Sequence, residues 1–437
     1  MNNLKSQDTV DGDSSGAKSF CLGYRLLKQR LQESFLISHV VLMVVLGIGV
    51  VNAVLGRKAV AFVQLSQVHR SARLLSIKKL VEPWIINNLT IHSASRITNV
   101  TLSVFKQNIG KRIIVLKRKV SDDEPGVILV KYSETLPLLP QFFDMQALLK
   151  DYQLVFEPSW SGYCTADILH YTSYSEDIFF LAKQQDDFRF LEVLDTNLYP
   201  VDLGPCDWVD PSIAQSHLSQ RKIYDVVMNS NWGTAKRHHV LFSAIREIKQ
   251  QLSIALIGFD WDGRTQQDIA DIADYYGVLD QITFFQKITF DEVMKINCQS
   301  KMAILLSLKE GSNRSIAEAL FCDIPVIVLN NHIGGIVGNV VPDTGELVRE
   351  ADLAGAIEKM LDDTAKYHPR QWAVDNISCL RSTEVLNEHI KRSVLRRGGQ
   401  WTEDIVVRSN SPDLRYYHQS DILKFAEYND MLRKFLK

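Results

Sequence analysis

Along most of the chain the apolar residues follow two rhythms. From about Gly126, short continuous runs of Val, Ile, Leu and Phe alternate with stretches whose apolar positions recur every three or four residues. The continuous runs are Gly126–Tyr132, Tyr152–Glu157, Asp177–Leu181 and Asn197–Leu203. A second series follows Pro211, with runs at Tyr224–Met228, Ser253–Gly258, Ile282–Phe285, Met302–Leu308 and Pro325–Leu329. Helical patterns at Arg237–Gln251, Thr265–Gly277, Phe290–Asn297 and Ser315–Phe321 separate them. A strand with one wet face alternates apolar and polar, whereas a strand apolar at every position is covered on both faces. The pattern therefore predicts an α/β fold of parallel sheets with helices on each side. Two series predict two Rossmann-like, doubly wound domains facing a cleft, fed by the carboxyl ends of the strands. The expected boundaries are an N-terminal domain with an extension at 56–215, a C-terminal domain at 216–395 and a helical tail at 396–437, with a hinge near Asp210–Lys222.

The N-terminal part breaks the rhythm. Residues 1–34 read as a disordered polar tail, the first twenty being rich in Ser, Asp, Asn and Gly. Phe35–Leu55 is an apolar run of 21 residues without a formal charge. About 20 helical residues cross a hydrocarbon core, and the run is too long and too far from the N-terminus for a signal peptide. It reads as a candidate transmembrane helix, with a buried helix of a soluble domain as the alternative. Lys18, Arg25, Lys28 and Arg30 precede it, while Arg57, Lys58, Arg70, Arg73, Lys78 and Lys79 follow. That excess predicts a membrane-associated protein whose main body is cytoplasmic. The N-x-S/T sequons at Asn88, Asn99, Asn313 and Asn376 would matter only in a luminal body.

Composition narrows the chemistry. With 49 basic and 51 acidic residues the net charge is -2. No long basic run is present, so the sequence offers no footprint for nucleic acid. The six cysteines form no C-x-x-C pair, which argues against zinc ribbons and redox motifs. Asp122-Asp123 and Asp186-Asp187 read as surface loops and Asp260-Trp261-Asp262 as a loop at the cleft edge, so no D-x-D cluster of the metal-binding type stands out and no cofactor motif is seen.

Candidate chemistry concentrates between Ser307 and Val348. Glu310 falls at the carboxyl end of the strand Met302–Leu308, in the turn before a helix. Gly311 lets the backbone approach a ligand closely. The first helical turn, from Ser312 through Asn313 and Arg314 to Ser315, presents N–H groups able to hold phosphate oxygens, and Arg314 adds a fixed positive charge. Glu318, about one turn into the helix, is placed to accept from two vicinal hydroxyls. A Pro-led strand, Pro325–Leu329, and the loop Asn330–Gly335 follow.

This segment resembles the donor site of retaining glycosyltransferase family 4, in the GT-B fold group. The family has a strand, then Glu-Gly, seven residues between two glutamates, Ala, and a Pro-Val strand; here stand Glu310-Gly311, Glu318-Ala319 and Pro325-Val326. Its later Gly-Gly and Gly-x-Leu-Val match Gly334-Gly335 and Gly345–Val348. The resemblance implies a nucleotide-sugar-binding C-terminal domain and an acceptor-side N-terminal domain. It implies that Glu310 contacts donor-sugar hydroxyls, Glu318 binds the nucleotide ribose, and Lys236 holds the diphosphate, in a loop that also contains Gly233. The family's earlier arginine in that loop has no counterpart, because Ser230 or Asn231 stands there; Arg237 or Arg314 takes its place. Trp160 and His170, after the second N-terminal strand, are acceptor-side candidates.

The implied function is transfer of a sugar from a nucleotide-sugar donor to a glycan, lipid-linked or small-molecule acceptor, with retention and without a metal. Two other readings stand beside it: a non-catalytic membrane-associated scaffold on the same fold, and a metal-free epimerase or phosphorylase.

Overall fold

The computed structural model describes residues 11–91, 102–411, 413–427 and 432–437. The first ten residues of the expected tail and the Asn99 sequon lie outside these.

The C-terminal domain is a six-stranded parallel sheet: β6 (Tyr224–Asn229), β7 (Ile254–Gly258), β8 (Ile282–Gln286), β9 (Ser300–Leu305), β10 (Val326–Leu329) and β11 (Gly345–Val348), in the order β11-β10-β9-β6-β7-β8. The chain winds outward from β6 to β8, returns to lay β9 on the other side of β6, and winds outward again. Alternate residues serve opposite faces. Val226, Met228, Ile304 and Ile327 join one apolar cluster, and Val227, Ala303, Leu305, Val326 and Val328 the other. The unbroken apolar runs in the sequence reflect this burial on both faces.

The N-terminal domain has five strands in simple chain order: β1 (Ile113–Lys117), β2 (Gly126–Lys131), β3 (Tyr152–Glu157), β4 (Ile178–Leu181) and β5 (Leu198–Val201). β2 to β5 are parallel, and β1 is antiparallel at the edge. This smaller sheet winds in one direction only, so the reversal that makes a switch-point crevice belongs to the C-terminal sheet. β1 was not expected, because it sits alone before a polar loop.

Three expected boundaries are corrected. The segment 1–34 is not a featureless tail from residue 11 onward: α1 (Asp11–Glu33) is a helix that packs Leu22 and Leu26 into the C-terminal core. The C-terminal domain's own elements end before Ser378. The next helix, Cys379–Arg396, crosses back and buries Leu386, Ile390 and Val394 in the N-terminal core. The tail beyond Arg396 is mostly irregular, with one short helix (Gln419–Lys424) and a two-residue strand pair at Arg408–Ser409 and Arg415–Tyr416. It is held to the N-terminal sheet edge, where Val406 N donates to Leu116 O at 2.9 Å and Tyr416 Oη to Val115 O at 2.8 Å.

The apolar run forms α2 (Phe35–Val54). α3 (Lys58–Ser71) folds back along it, and α4 (Leu75–Ile86) follows. Asp186-Asp187 is no surface loop: it opens the helix Gln185–Leu194, and buried Asp187 accepts from the N–H groups of Gly162 and Tyr163 at 2.8 Å each.

Candidate functional site

The loops after β6 and β9 leave neighbouring strands at the switch point of the C-terminal sheet. The first carries Gly233 and Lys236, the second Glu310 and Gly311. Lys236 Nζ donates to a Glu310 carboxylate oxygen, joining the loops. The other oxygen accepts from Asn313 Nδ2 at 2.8 Å. Asn313 caps the helix Arg314–Phe321, its Oδ1 accepting from Ile316 N at 3.0 Å. Burial pushes the Glu310 carboxyl up, but Lys236 and Asn313 outweigh it, and the group titrates below the usual carboxylate range. Glu310 is therefore ionised and Lys236 is its counter-ion.

Glu318 sits deeper on the same helix. Burial raises its pKa, opposed by Ser411 and Arg314. Ser411 Oγ donates to Glu318 Oε1 at 2.5 Å, and Arg314 Nη1 donates to the Asn410 carbonyl at 2.6 Å. The C-terminal tail thus supplies part of the site wall. Asn410 also accepts from Lys131 Nζ, and Arg408 pairs with Glu157, at the carboxyl ends of β2 and β3.

The two domains touch directly here. A Cβ at Gly311 would stand 2.1 Å from the Ser159 carbonyl oxygen, so only glycine fits. Ser161 Oγ donates to the Glu310 carbonyl at 2.7 Å. Lys183, after β4, lies against Gly204 and Gly335 and within 3.7 Å of Asp207.

Of the residues singled out from the sequence, Lys236, Glu310, Gly311, Asn313, Arg314 and Glu318 form one cluster. Gly233 lines its edge, packed against Trp261, which keeps the Asp260–Asp262 loop at the cleft rim. Ser312 faces the interdomain linker: its Oγ donates to Cys206 Sγ at 2.6 Å. Trp160 is at the site by its backbone, beside Gly311, with an exposed ring.

Two residues are not brought to the Glu310 pair. Arg237 is committed elsewhere: its guanidinium donates to Glu33 at 2.8 Å, Glu350 at 2.6 Å and the Leu306 carbonyl at 3.2 Å. Its backbone adopts φ of 60° at the helix start, which turns the side chain the other way from Lys236. His170 lies on the turn descending toward the amino end of β4. Its ring packs edge-on to Tyr171 and Tyr174, and Asn197, just before β5, holds the Tyr171 carbonyl at 3.1 Å.

Sequence reasoning missed Ser411, Asn410, Lys183 and Lys309. Lys309 precedes Glu310, and its Nζ donates to the Arg70 carbonyl at 3.1 Å. It also passed over His332, whose Nδ1 lies 2.7 Å from the Ser307 carbonyl while its buried Nε2 stands beside Gly334 without a partner. Of these, only Lys309 and His332 lie within the segment whose motif could have flagged them.

Two α/β domains, with charged groups gathered at the carboxyl edge of a doubly wound C-terminal sheet, constitute the GT-B type of architecture. Residues 210–373 match the family model described as glycosyl transferases group 1. Among solved structures, the chain is similar to a sucrose-phosphate synthase from Thermosynechococcus elongatus, with 18% identity over 62% of this chain and 74% of that one, at a TM-score of 0.46. It is also similar to Anabaena HepE in complex with UDP, with 14% identity, 60% and 78% coverage and a TM-score of 0.48. A pneumococcal O-GlcNAc transferase, GtfA, in complex with UDP and GlcNAc is a third, with 16% identity, 58% and 54% coverage and a TM-score of 0.39. No curated protein matches the sequence.

Proposed function

We propose that this protein is a glycosyltransferase that moves a sugar from a nucleotide-sugar donor to a glycan, lipid-linked or small-molecule acceptor, with retention and without a metal. The observation that carries this reading is the Lys236–Glu310 pair across the switch point, followed at eight positions by Glu318, within the segment matching the family model. A nucleoside diphosphate leaving group gains negative charge as the glycosidic bond breaks. A lysine and the N–H groups of a helix start, fixed in advance, stabilise that charge without reorganising. On donor binding Lys236 turns from Glu310 to the diphosphate, and Glu310 accepts from sugar hydroxyls. Ribose hydroxyls replace the Ser411 hydroxyl on Glu318.

The apolar α2 supports a membrane location, with the body cytoplasmic and the acceptor reached from the bilayer. The non-catalytic reading is favoured by one feature: the Ser159 carbonyl and Ser411 already occupy the places beside Gly311 and Glu318.

Calorimetry of the full chain with UDP- and GDP-linked sugars, without added metal, tests the proposal. Binding of one donor, abolished in Glu318→Ala, together with release of the nucleoside diphosphate on turnover, is the expected result. A folded protein that binds no donor sinks it in favour of the scaffold. Turnover that depends on inorganic phosphate points to the phosphorylase.

A further inference from the structure

Each of the first three helices turns apolar side chains outward. α1 leaves Phe20, Tyr24, Leu27 and Leu31 exposed, on a stripe opposite the partly buried Leu22 and the buried Leu26. α2 turns Leu42, Leu46, Gly49 and Asn52 inward and leaves Val40, Val41, Val44, Ile48 and Val51 exposed. α3 adds Val60 and Val63. Among the described residues, half of the exposed large hydrophobic side chains lie between Phe20 and Val63, about a tenth of the chain. An apolar patch beyond a few hundred Å² marks a partner.

The charges identify that partner. Between Phe20 and Val63 the charged residues are Arg25, Lys28, Arg30, Glu33, Arg57 and Lys58. The one acid, Glu33, is paired with Arg237. This basic rim on a chain of net charge -2 complements anionic lipid headgroups, and exposed aromatic residues such as Phe20 and Tyr24 suit the headgroup level.

The fold also decides how the bilayer is met. A spanning helix puts its ends on opposite sides, but the hairpin of α2 and α3 returns to the same body at both of its ends. Before α2, Glu33 is bound to Arg237. After α2 the chain turns at Gly56, and α3 runs back along it: Asn52 Nδ2 donates to Gln64 Oε1 at 3.1 Å, and a Cβ at Gly49 would stand 2.8 Å from Leu65. α3 then anchors through His69–Glu82 at 3.0 Å and through Lys309 on the Arg70 carbonyl. Gln64, Ser66, Gln67 and His69 make α3 too polar to accompany α2 across a hydrocarbon core. Crossing would also pull Arg57 and Lys58 through it.

We infer that α1, α2 and α3 form an in-plane docking surface for an anionic bilayer, inserted in one leaflet with the body on the same side as both ends of α2, rather than a transmembrane anchor. This deepens the membrane location proposed above and does not depend on the donor chemistry. The base of the hairpin, at Glu33–Arg237 and Arg70–Lys309, adjoins the Glu310 loop, so the docked surface lies beside the candidate site.

Flotation of the full chain with sealed vesicles of phosphatidylcholine, with and without phosphatidylserine, gives the first test. Binding about tenfold tighter with phosphatidylserine is expected, lost in a Val41→Asp/Val44→Asp double variant whose circular dichroism is unchanged. Sidedness gives the second. In a Cys21→Ser background, where the other five cysteines are buried, Gln32→Cys and Arg57→Cys are treated with an impermeant maleimide outside the vesicles. Both reacting without detergent supports the in-plane arrangement. Arg57→Cys reacting only after detergent shows a span and overturns it. A folded protein that does not float overturns membrane docking altogether, and a dimer dissolved by the double variant would assign the surface to a second copy.

Discussion

Ser411 and Glu318, 93 positions apart, share a hydrogen bond in which the Ser411 hydroxyl donates to the buried carboxylate at 2.5 Å. Arg314, on the same helix as Glu318, holds the neighbouring Asn410 carbonyl. The tail is thus fastened over the group to which the proposed function assigns the ribose. Donor and tail would use the same oxygen, so tail contact and donor affinity are coupled.

Ser411→Ala is expected to lower stability by about 1–3 kcal/mol, because a buried carboxylate loses a partner. It is also expected to tighten UDP binding, since the ribose no longer displaces a hydroxyl. Urea denaturation and calorimetry of the same variant check both signs. Weaker UDP binding would mean that Ser411 helps to hold the nucleotide instead of competing with it.

Glu318→Ala and Lys236→Ala should separate binding from chemistry. Loss of Glu318 removes charge-assisted hydrogen bonds of about 1.5–3 kcal/mol each, so donor affinity falls steeply. Loss of Lys236 removes stabilisation of the leaving group and should lower turnover by about 100- to 1000-fold, with a smaller effect on donor affinity. Steady-state kinetics with the donor found by calorimetry distinguishes the two patterns.

Gly311→Ala tests the contact between domains. The added methyl meets a backbone carbonyl rather than a flexible side chain, so relief requires the Ser159 loop to move. Overpacking of this kind costs about 1–3 kcal/mol. A lower urea midpoint and faster hydrogen exchange at residues 158–162 are expected. An unchanged midpoint would show that the loop yields freely.

Acid stability should depend on the paired histidines after Arg237. Burial lowers the pKa of both His238 and His239 to about 3. Between their ordinary value near 6.5 and about 3, the unfolded chain binds protons that the folded chain refuses, so stability falls as the pH drops through that window. His239→Gln should flatten the fall between pH 7 and pH 5, measured as the shift in urea midpoint. A slope equal to that of the unsubstituted protein would show that His239 does not carry it.

Glu33→Ala asks whether α1 is held by its ion pair. Arg237 is buried and would keep only Glu350 and the Leu306 carbonyl. A loss of about 1.5–3 kcal/mol is expected, with hydrogen exchange of α1 rising more than that of the C-terminal sheet. Protection of α1 equal to that of the unsubstituted protein would credit its docking to Leu22, Leu26 and the hydrogen bonds of Gln29 and Arg30.

Much of this protein was legible in the sequence wherever the determining interactions are local. Unbroken apolar runs specified strands buried on both faces. Glu310-Gly311 and Glu318 could be placed relative to one another because a strand end, a turn and a helix cap fix their spacing within a dozen residues. What remained hidden depends on distant partners. Arg237 stands next to Lys236 in the chain, yet a backbone turn and Glu33, 204 positions away, point it elsewhere. Asp187 looked like a surface residue until the Gly162–Tyr163 backbone enclosed it. Hydrophobicity showed α2 to be apolar. Only the return of α3 along it, and the anchoring of that hairpin's base to the body, decided which side it exposes, because such pairing is set by the packed chain and leaves no periodic trace in the sequence.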